Sequence, residues 1–202
     1  MPTGFNVTMK KLYREDLYTL EKYAQVRRDF REQVMQHKLN RRIEIGPHIT
    51  LYFEDRTTIQ YQIQEMLRVE KIFEPAGIQE ELDAYNPLIP DGTNLKATMM
   101  IEYEDPGERA ERLGQMVGIE RRLWLKAGSL ESVAPIADED LQRATETKTS
   151  AVHFLRFEFT GDMITALRAG AALAAGVEHE VYSAVVDPVP DNVRQSLVKD
   201  FD

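Results

Sequence analysis

Ala151-Val-His-Phe-Leu-Arg-Phe-Glu-Phe159 alternates along its whole length. His153, Leu155, Phe157 and Phe159 fall on one face, and Phe154, Arg156 and Glu158 on the other. A period of two, dense in aromatic residues, predicts a strand with one face on a core. The same pattern recurs upstream, where Leu95, Ala97, Met99, Ile101 and Tyr103 share a face. It recurs again in Arg41–Asp55, a hairpin turning at Gly46-Pro47. In the second arm Ile49, Leu51 and Phe53 point one way, and His48, Thr50, Tyr52 and Glu54 the other. Faces of such unequal polarity belong to antiparallel sheets, whose outer side is free to meet water.

Helical spacing dominates the remainder of the N-terminal half. Residues 11–39 carry Leu17, Leu20 and Ala24, then Phe30, Val34 and His37 in a shifted phase. The shift predicts a bend or a break near Gln25–Arg28. Asp55 is placed to cap a helix with the stripe Ile59, Ile63, Met66 and Phe73. Pro75 ends it, and a short helix with Ile78, Leu82 and Tyr85 follows. Asn86-Pro-Leu-Ile-Pro-Asp-Gly92 is a stiff connection. It suggests residues 1–90 as a helical segment with a β-hairpin and 91–202 as an α+β sheet domain, or one domain continuous across both. In the C-terminal half, Asp105-Pro-Gly-Glu108 starts a helix, with Asp at the cap and Pro at the first helical position. A hairpin is expected over Arg121–Ala127 and Ser132–Ala137. Asp138 is expected to cap a short helix ending near Thr147, and residues 161–175 to form an Ala-rich helix ended by Gly176. Val181–Val186 is a strand, and Asp191 caps a last helix. The fold class is α+β: a helical N-terminal half packed on a mostly antiparallel sheet with helices on one face.

Bulk properties narrow the function classes. The 202 residues suffice to bury a core, and 43% hydrophobic with 29% charged residues is ordinary for a globular chain. A formal net charge of −9 disfavours phosphate backbones, so nucleic-acid binding is not expected. The chain has no cysteine, which excludes cysteine-ligated clusters, thiolate zinc sites and cysteine nucleophiles, and fits a cytoplasmic location. Met1–Lys11 lacks an apolar leader pattern, and the longest apolar run, Ala169–Val177, is too short to span a bilayer. That run is expected to pack tightly on the sheet or to form the seam of a homodimer. No HExxH, P-loop, Gly-x-Gly-x-x-Gly or Gly-x-Ser-x-Gly motif is present.

Three groups of polar residues call for an explanation. The row His48, Thr50, Tyr52, Glu54 reads first as a solvated strand face. His48 and Glu54 stand about 20 Å apart along it, too far to share one ion. On the helix after Asp55, Tyr61, Glu65 and Arg68 share a side, with Gln62 beside Glu65 and Glu65–Arg68 able to pair. Such a face builds either an inter-helix network or a small-ligand pocket. His153 heads a buried row, where an imidazole is normally satisfied by a neighbour. A facing carboxylate would give it an acid–base or metal role. Arg156 and Glu158 are expected to pair on the opposite face. His37 reads as packing or capping, and Trp124 with Arg122 and Lys126 forms a small basic-aromatic strand face.

Four stretches carry a family resemblance: Gly46-Pro-His-Ile-Thr-Leu-Tyr-Phe-Glu-Asp-Arg56, Tyr61-Gln-Ile-Gln-Glu-Met-Leu-Arg68, Tyr85-Asn-Pro-Leu-Ile-Pro90 and Lys148-Thr-Ser-Ala-Val-His-Phe-Leu-Arg-Phe-Glu158. With them the chain resembles the uncharacterised bacterial family called domain of unknown function 3501. The resemblance implies neighbours of rubrerythrin-like and iron–sulfur type, and so an accessory or interaction protein of redox and peroxide defence, with a redox protein as partner. It brings no catalytic residues. The alternative is a metal-binding or small-molecule-binding protein, enzyme or sensor, with a pocket between the two halves. Its groups would be His48, Glu65, Arg68, His153 and Glu158 meeting in one cavity.

Overall fold

The computed structural model describes residues 11–201, so nearly all of the stretch read for a leader lies outside the described residues. Its elements in order are α1 (Leu20–Leu39), β1 (Arg42–Ile45), β2 (Ile49–Phe53), α2 (Arg56–Val69), α3 (Pro75–Tyr85), β3 (Asn94–Ile101), α4 (Pro106–Gln115), β4 (Leu123–Ala127), β5 (Ser132–Val133), β6 (Ile136–Ala137), β7 (Val152–Glu158), α5 (Gly161–Arg168), β8 (Leu173–His179), β9 (Tyr182–Val186) and α6 (Asp191–Leu197). The fold is α+β. A five-stranded sheet runs β1-β2-β3-β7-β6 and a four-stranded sheet runs β5-β4-β8-β9, with every neighbouring pair antiparallel.

The alternating strands set the core. Leu51 lies opposite Met99, and Met99 opposite His153, so one inward row crosses three strands. These rows pack with Leu123, Leu125 and Ala127 of β4 and Leu173, Ala175 and Val177 of β8 into one apolar cluster. The hairpin β1–β2 pairs with β3, so sheet pairing crosses the connection at residue 90. A second, smaller cluster joins Leu12, Ile59, Ile63, Leu67, Leu82 and Ile89 beneath α1, α2 and α3. No helix of the described residues is long and apolar enough to cross a membrane.

Local chemistry explains the element ends. Asp55 Oδ1 accepts from Thr58 N at 2.9 Å while Thr58 Oγ1 accepts from Asp55 N at 2.9 Å, a reciprocal cap on α2. Asp105 caps α4 through Glu108 N at 2.7 Å, with Pro106 opening the helix. At the last helix the expectation fails: Pro190 holds the cap position, and Asp191 lies inside the first turn, pairing with Arg194.

Four further expectations are corrected. α1 is one continuous helix capped by Thr19, after a 3₁₀ turn at Arg14–Asp16. Its inner stripe starts at Tyr23 and continues through Phe30 and Val34, so the phase shift reflects a misplaced start and not a bend. The expected second arm Ser132–Ala137 is divided between the sheets. Ser132 and Val133 pair with β4, whereas Ile136 and Ala137 pair with β7. Pro135 between them has no N–H to continue the first ladder. No helix follows Asp138, which adopts φ 53° and bonds backbone to backbone with Phe154 O at 2.8 Å, extending the sheet edge. Lastly, α5 ends at Arg168, and Leu173–His179 is a central strand. Buried on both sides, it shows no alternation, and small residues are required for packing. At Gly176 the indole of Trp124 lies where a Cβ would stand, 2.3 Å from Cζ2.

Gly176→Ala therefore forces the indole to shift and is expected to lower stability by about 1–3 kcal/mol. Urea denaturation checks this through a lower midpoint at unchanged slope. An unchanged midpoint would show that the ring is free to move.

Candidate functional site: a groove between the helices and the sheet

The outer row of β2 is not a solvated face. Thr50 is buried and donates to Glu102 Oε2 at 2.9 Å. Glu54 accepts from two hydroxyls, Thr58 at 2.6 Å and Thr98 at 2.9 Å. Thr98 stands opposite Tyr52 on one side and Phe154 on the other. Facing this surface, α1 supplies Lys38, α2 supplies Ile59 and Gln62, and the end of α3 supplies Tyr85 with Leu88 just beyond. The two layers do not close on each other. They leave a cavity of about 380 Å³ whose walls also include Tyr52, Met100 and Phe154.

A second cavity of about 490 Å³ shares Tyr85, Leu88 and Phe154 with the first and continues past Lys96, Arg156 and Glu139. Lys96 Nζ donates to Pro87 O and Ile89 O, each at 2.8 Å, and so pins the connection after α3 to the sheet. Burial holds its ammonium below the ordinary lysine range, against the pull of Asp91. Arg156 makes a forked pair with Glu139, both arms 2.7 Å, and also pairs with Glu158 as the strand pattern implied. Arg143 lies 4.4 Å from the centre of the Phe154 ring, so that ring sits between a guanidinium and the groove.

Of the residues proposed from sequence, Glu54, Gln62 and Arg156 line this groove. Glu158 borders it through Arg156 and also accepts from Asn94 at 2.9 Å and Thr93 at 3.2 Å. Glu65 and Arg68 do not reach it. Glu65 binds Tyr23 at 2.7 Å and Arg27 at 2.8 and 2.9 Å, with Arg68 at 3.4 Å, joining α1 to α2. The Arg27 guanidinium brings the Glu65 carboxyl down to about 2. Tyr61 packs beside Phe30, 6.1 Å between centroids, and beneath the Lys38 ammonium at 5.8 Å. His48 stacks on Tyr103 at 3.9 Å and donates Nδ1 to Glu102 O at 2.9 Å. His153 is fully buried, with Nδ1 at 2.6 Å from Asp138 Oδ2 and Nε2 at 2.8 Å from Thr149 Oγ1. The two imidazoles share no partner, and neither lines the groove. The single cavity expected to hold His48, Glu65, Arg68, His153 and Glu158 is replaced by four separate arrangements. Among the described residues no three His, Cys, Asp or Glu side chains gather as metal ligands would.

Sequence reasoning missed a charged cleft of about 410 Å³ where His37, Arg41, Asp55 and Asp200 meet. Arg41 is buried and pairs with Asp200 through both terminal nitrogens. Its Nε donates to Phe53 O at 3.1 Å, its Nη2 to Glu54 O at 3.0 Å, and Asp55 lies 3.4 Å away. His37 Nε2 lies 2.5 Å from Asp55 Oδ2. Burial works to raise the Asp55 carboxyl, but His37, Arg41 and the Thr58 N–H outweigh it and hold it below the usual range. Asp200 goes the other way, pushed up to about 6 by burial despite Arg41. Only the His37 and Asp55 positions carried any signal, as a packing residue and a cap. Arg41 and Asp200 are 159 positions apart, beyond any local pattern.

The family model for "Protein of unknown function (DUF3501)" matches residues 11–201, and the chain belongs to that family. A crystal structure of a novel protein of unknown function from Burkholderia pseudomallei is similar to it, with 51% identity and a TM-score of 0.91 over 96% of this chain and 100% of that one. No curated protein matches.

Arg41→Met strands two buried carboxylates and is expected to cost about 3–5 kcal/mol, much of it regained in Arg41→Met/Asp200→Leu. Paired urea titrations measure this. Equal stability of the single and double variants would contradict it. Because folded Asp200 keeps its proton to about pH 6 against an ordinary 3.8, stability falls as pH rises through that interval. Asp200→Asn is expected to flatten this part of the stability–pH curve; an unaltered curve would refute the assignment.

Proposed function

We propose that this family member is a small-molecule-binding protein that holds its ligand between the helical layer and the outer face of the five-stranded sheet. One observation carries the reading. The helices stand off a sheet face of mixed polarity and leave adjoining cavities of about 380 and 490 Å³ around Tyr85, Leu88 and Phe154. Volumes of roughly 300–1,000 Å³, with apolar walls and a few fixed polar groups, are typical of small-ligand sites. The polar groups here are Glu54, held by two hydroxyls, and Gln62 and Lys38 from the helices. Among the described residues no imidazole lines the groove, and its Glu139 carboxylate is taken up by Arg156, so binding without chemistry is the economical function. The expected place beside redox proteins draws on the family resemblance, and the groove adds nothing to it.

Thermal-shift screening against small polar metabolites tests the reading. A ligand at one hundred times its Kd adds about 2.7 kcal/mol, which in a chain of this size raises the melting temperature by roughly 5–10 °C. Met100→Trp fills the first cavity and is expected to abolish the shift while leaving the unliganded protein folded. Stabilising compounds whose effect survives in Met100→Trp, or a screen without any, would overturn the groove as the binding site.

A further inference from the structure

Lys38 and Glu54 line the same half-enclosed cavity and do not pair with each other. Each is occupied on its own side. The Glu54 carboxylate is fixed by Thr58 and Thr98, and its oxygens keep lone pairs free. The Lys38 ammonium stands over the Tyr61 ring at 5.8 Å and has no carboxylate partner among the described residues. Opposite charges within one cavity ordinarily close on each other, because pairing is stronger where water is partly excluded. Here the anchors hold them on separate walls. Between those walls lie Ile59, Leu88, Met100 and Phe154, an apolar floor, and the Gln62 amide and Tyr85 hydroxyl, which have no hydrogen-bond partner among the described residues.

We propose that the groove takes a small zwitterion with an apolar body, of the amino-acid class, which places its ammonium on Glu54, its carboxylate on Lys38 and its side chain against Phe154 and Met100. This rests on the groove being the binding site and goes on to name the ligand's chemistry. Size agrees, since a cavity of about 380 Å³ is at the small end of ligand sites. Charge agrees as well. A simple anion would answer Lys38 but meet Glu54, and a simple amine the reverse, so only a molecule bearing both charges satisfies both walls.

Calorimetric titration with L-phenylalanine, 3-phenylpropanoate and phenethylamine separates the charges on one apolar body. L-phenylalanine is expected to bind at least about ten-fold more tightly than either singly charged probe, the usual worth of one charge-assisted hydrogen bond. Lys38→Met is expected to weaken L-phenylalanine and 3-phenylpropanoate and to spare phenethylamine. Glu54→Gln removes the charge while keeping the side chain's shape and one acceptor oxygen for the two threonine hydroxyls, and is expected to weaken L-phenylalanine and phenethylamine and to spare the acid. If a singly charged probe matches the zwitterion, if either variant leaves its affinity unchanged, or if none of the three binds, the ligand class is wrong. The groove reading is then judged separately, by whether Met100→Trp abolishes the screening shifts.

Discussion

Burying a guanidinium is costly unless every donor finds an acceptor, and Arg41 meets that condition by drawing acceptors from three parts of the chain. Phe53 and Glu54 offer carbonyls from the end of β2, Asp55 offers the cap of α2, and Asp200 offers a carboxylate from the C-terminal end. The backbone joins in, with Arg41 O accepting from Phe53 N at 2.8 Å. The end of α1, the end of β2, the start of α2 and the segment after α6 are thereby fixed at one point. Lys38 and His37 lie within the turn of α1 just before it, so the placement of Lys38 over the sheet follows from the same clasp.

The groove follows from how apolar surface is spent. α2 turns Ile59, Ile63 and Leu67 toward Leu82 and Ile89, making a core internal to the helical layer. Less apolar surface is left for the sheet below, whose outer face mixes Tyr52, Glu54, Lys96, Thr98 and Arg156 with Met100 and Phe154. The layers meet instead through discrete polar ties: Arg41 at one end, and Lys96 holding two carbonyls at the other. Between such ties Leu88, Met100 and Phe154 do not close on one another, and a lined groove remains. The same logic accounts for His153. Its row faces the core, so its two nitrogens had to be satisfied locally, and Asp138 and Thr149 do so.

The strands around β2, β3 and β7 were legible because one face of each is much more apolar than the other, and that contrast is written at a spacing of two. The caps at Asp55 and Asp105 were legible because capping is local. β8 was not, since a strand buried on both sides has no contrast, and its Ala and Gly residues mimic a helix. The change of sheet at Pro135 was signalled by the proline, yet strands of two residues are too short to show a pattern. At the site, Glu54 and Gln62 stood out as polar residues beside apolar stripes. Lys38, Tyr85 and Phe154 did not, because each is unremarkable alone and only the tertiary fold brings them together. The pairing of Arg41 with Asp200 was invisible for the same reason, on a longer scale.

The central claim is that the helical layer is clamped at a fixed distance from the sheet, so that the groove exists before any ligand arrives. Amide hydrogen exchange on the unliganded protein tests it most directly. The account predicts that α1 and α2 are protected as strongly as β3 and β7, and that Arg41→Met releases α1 and residues 191–201 while the central strands stay protected. Free exchange in α1 and α2 of the unaltered protein, with only the sheet protected, would contradict it.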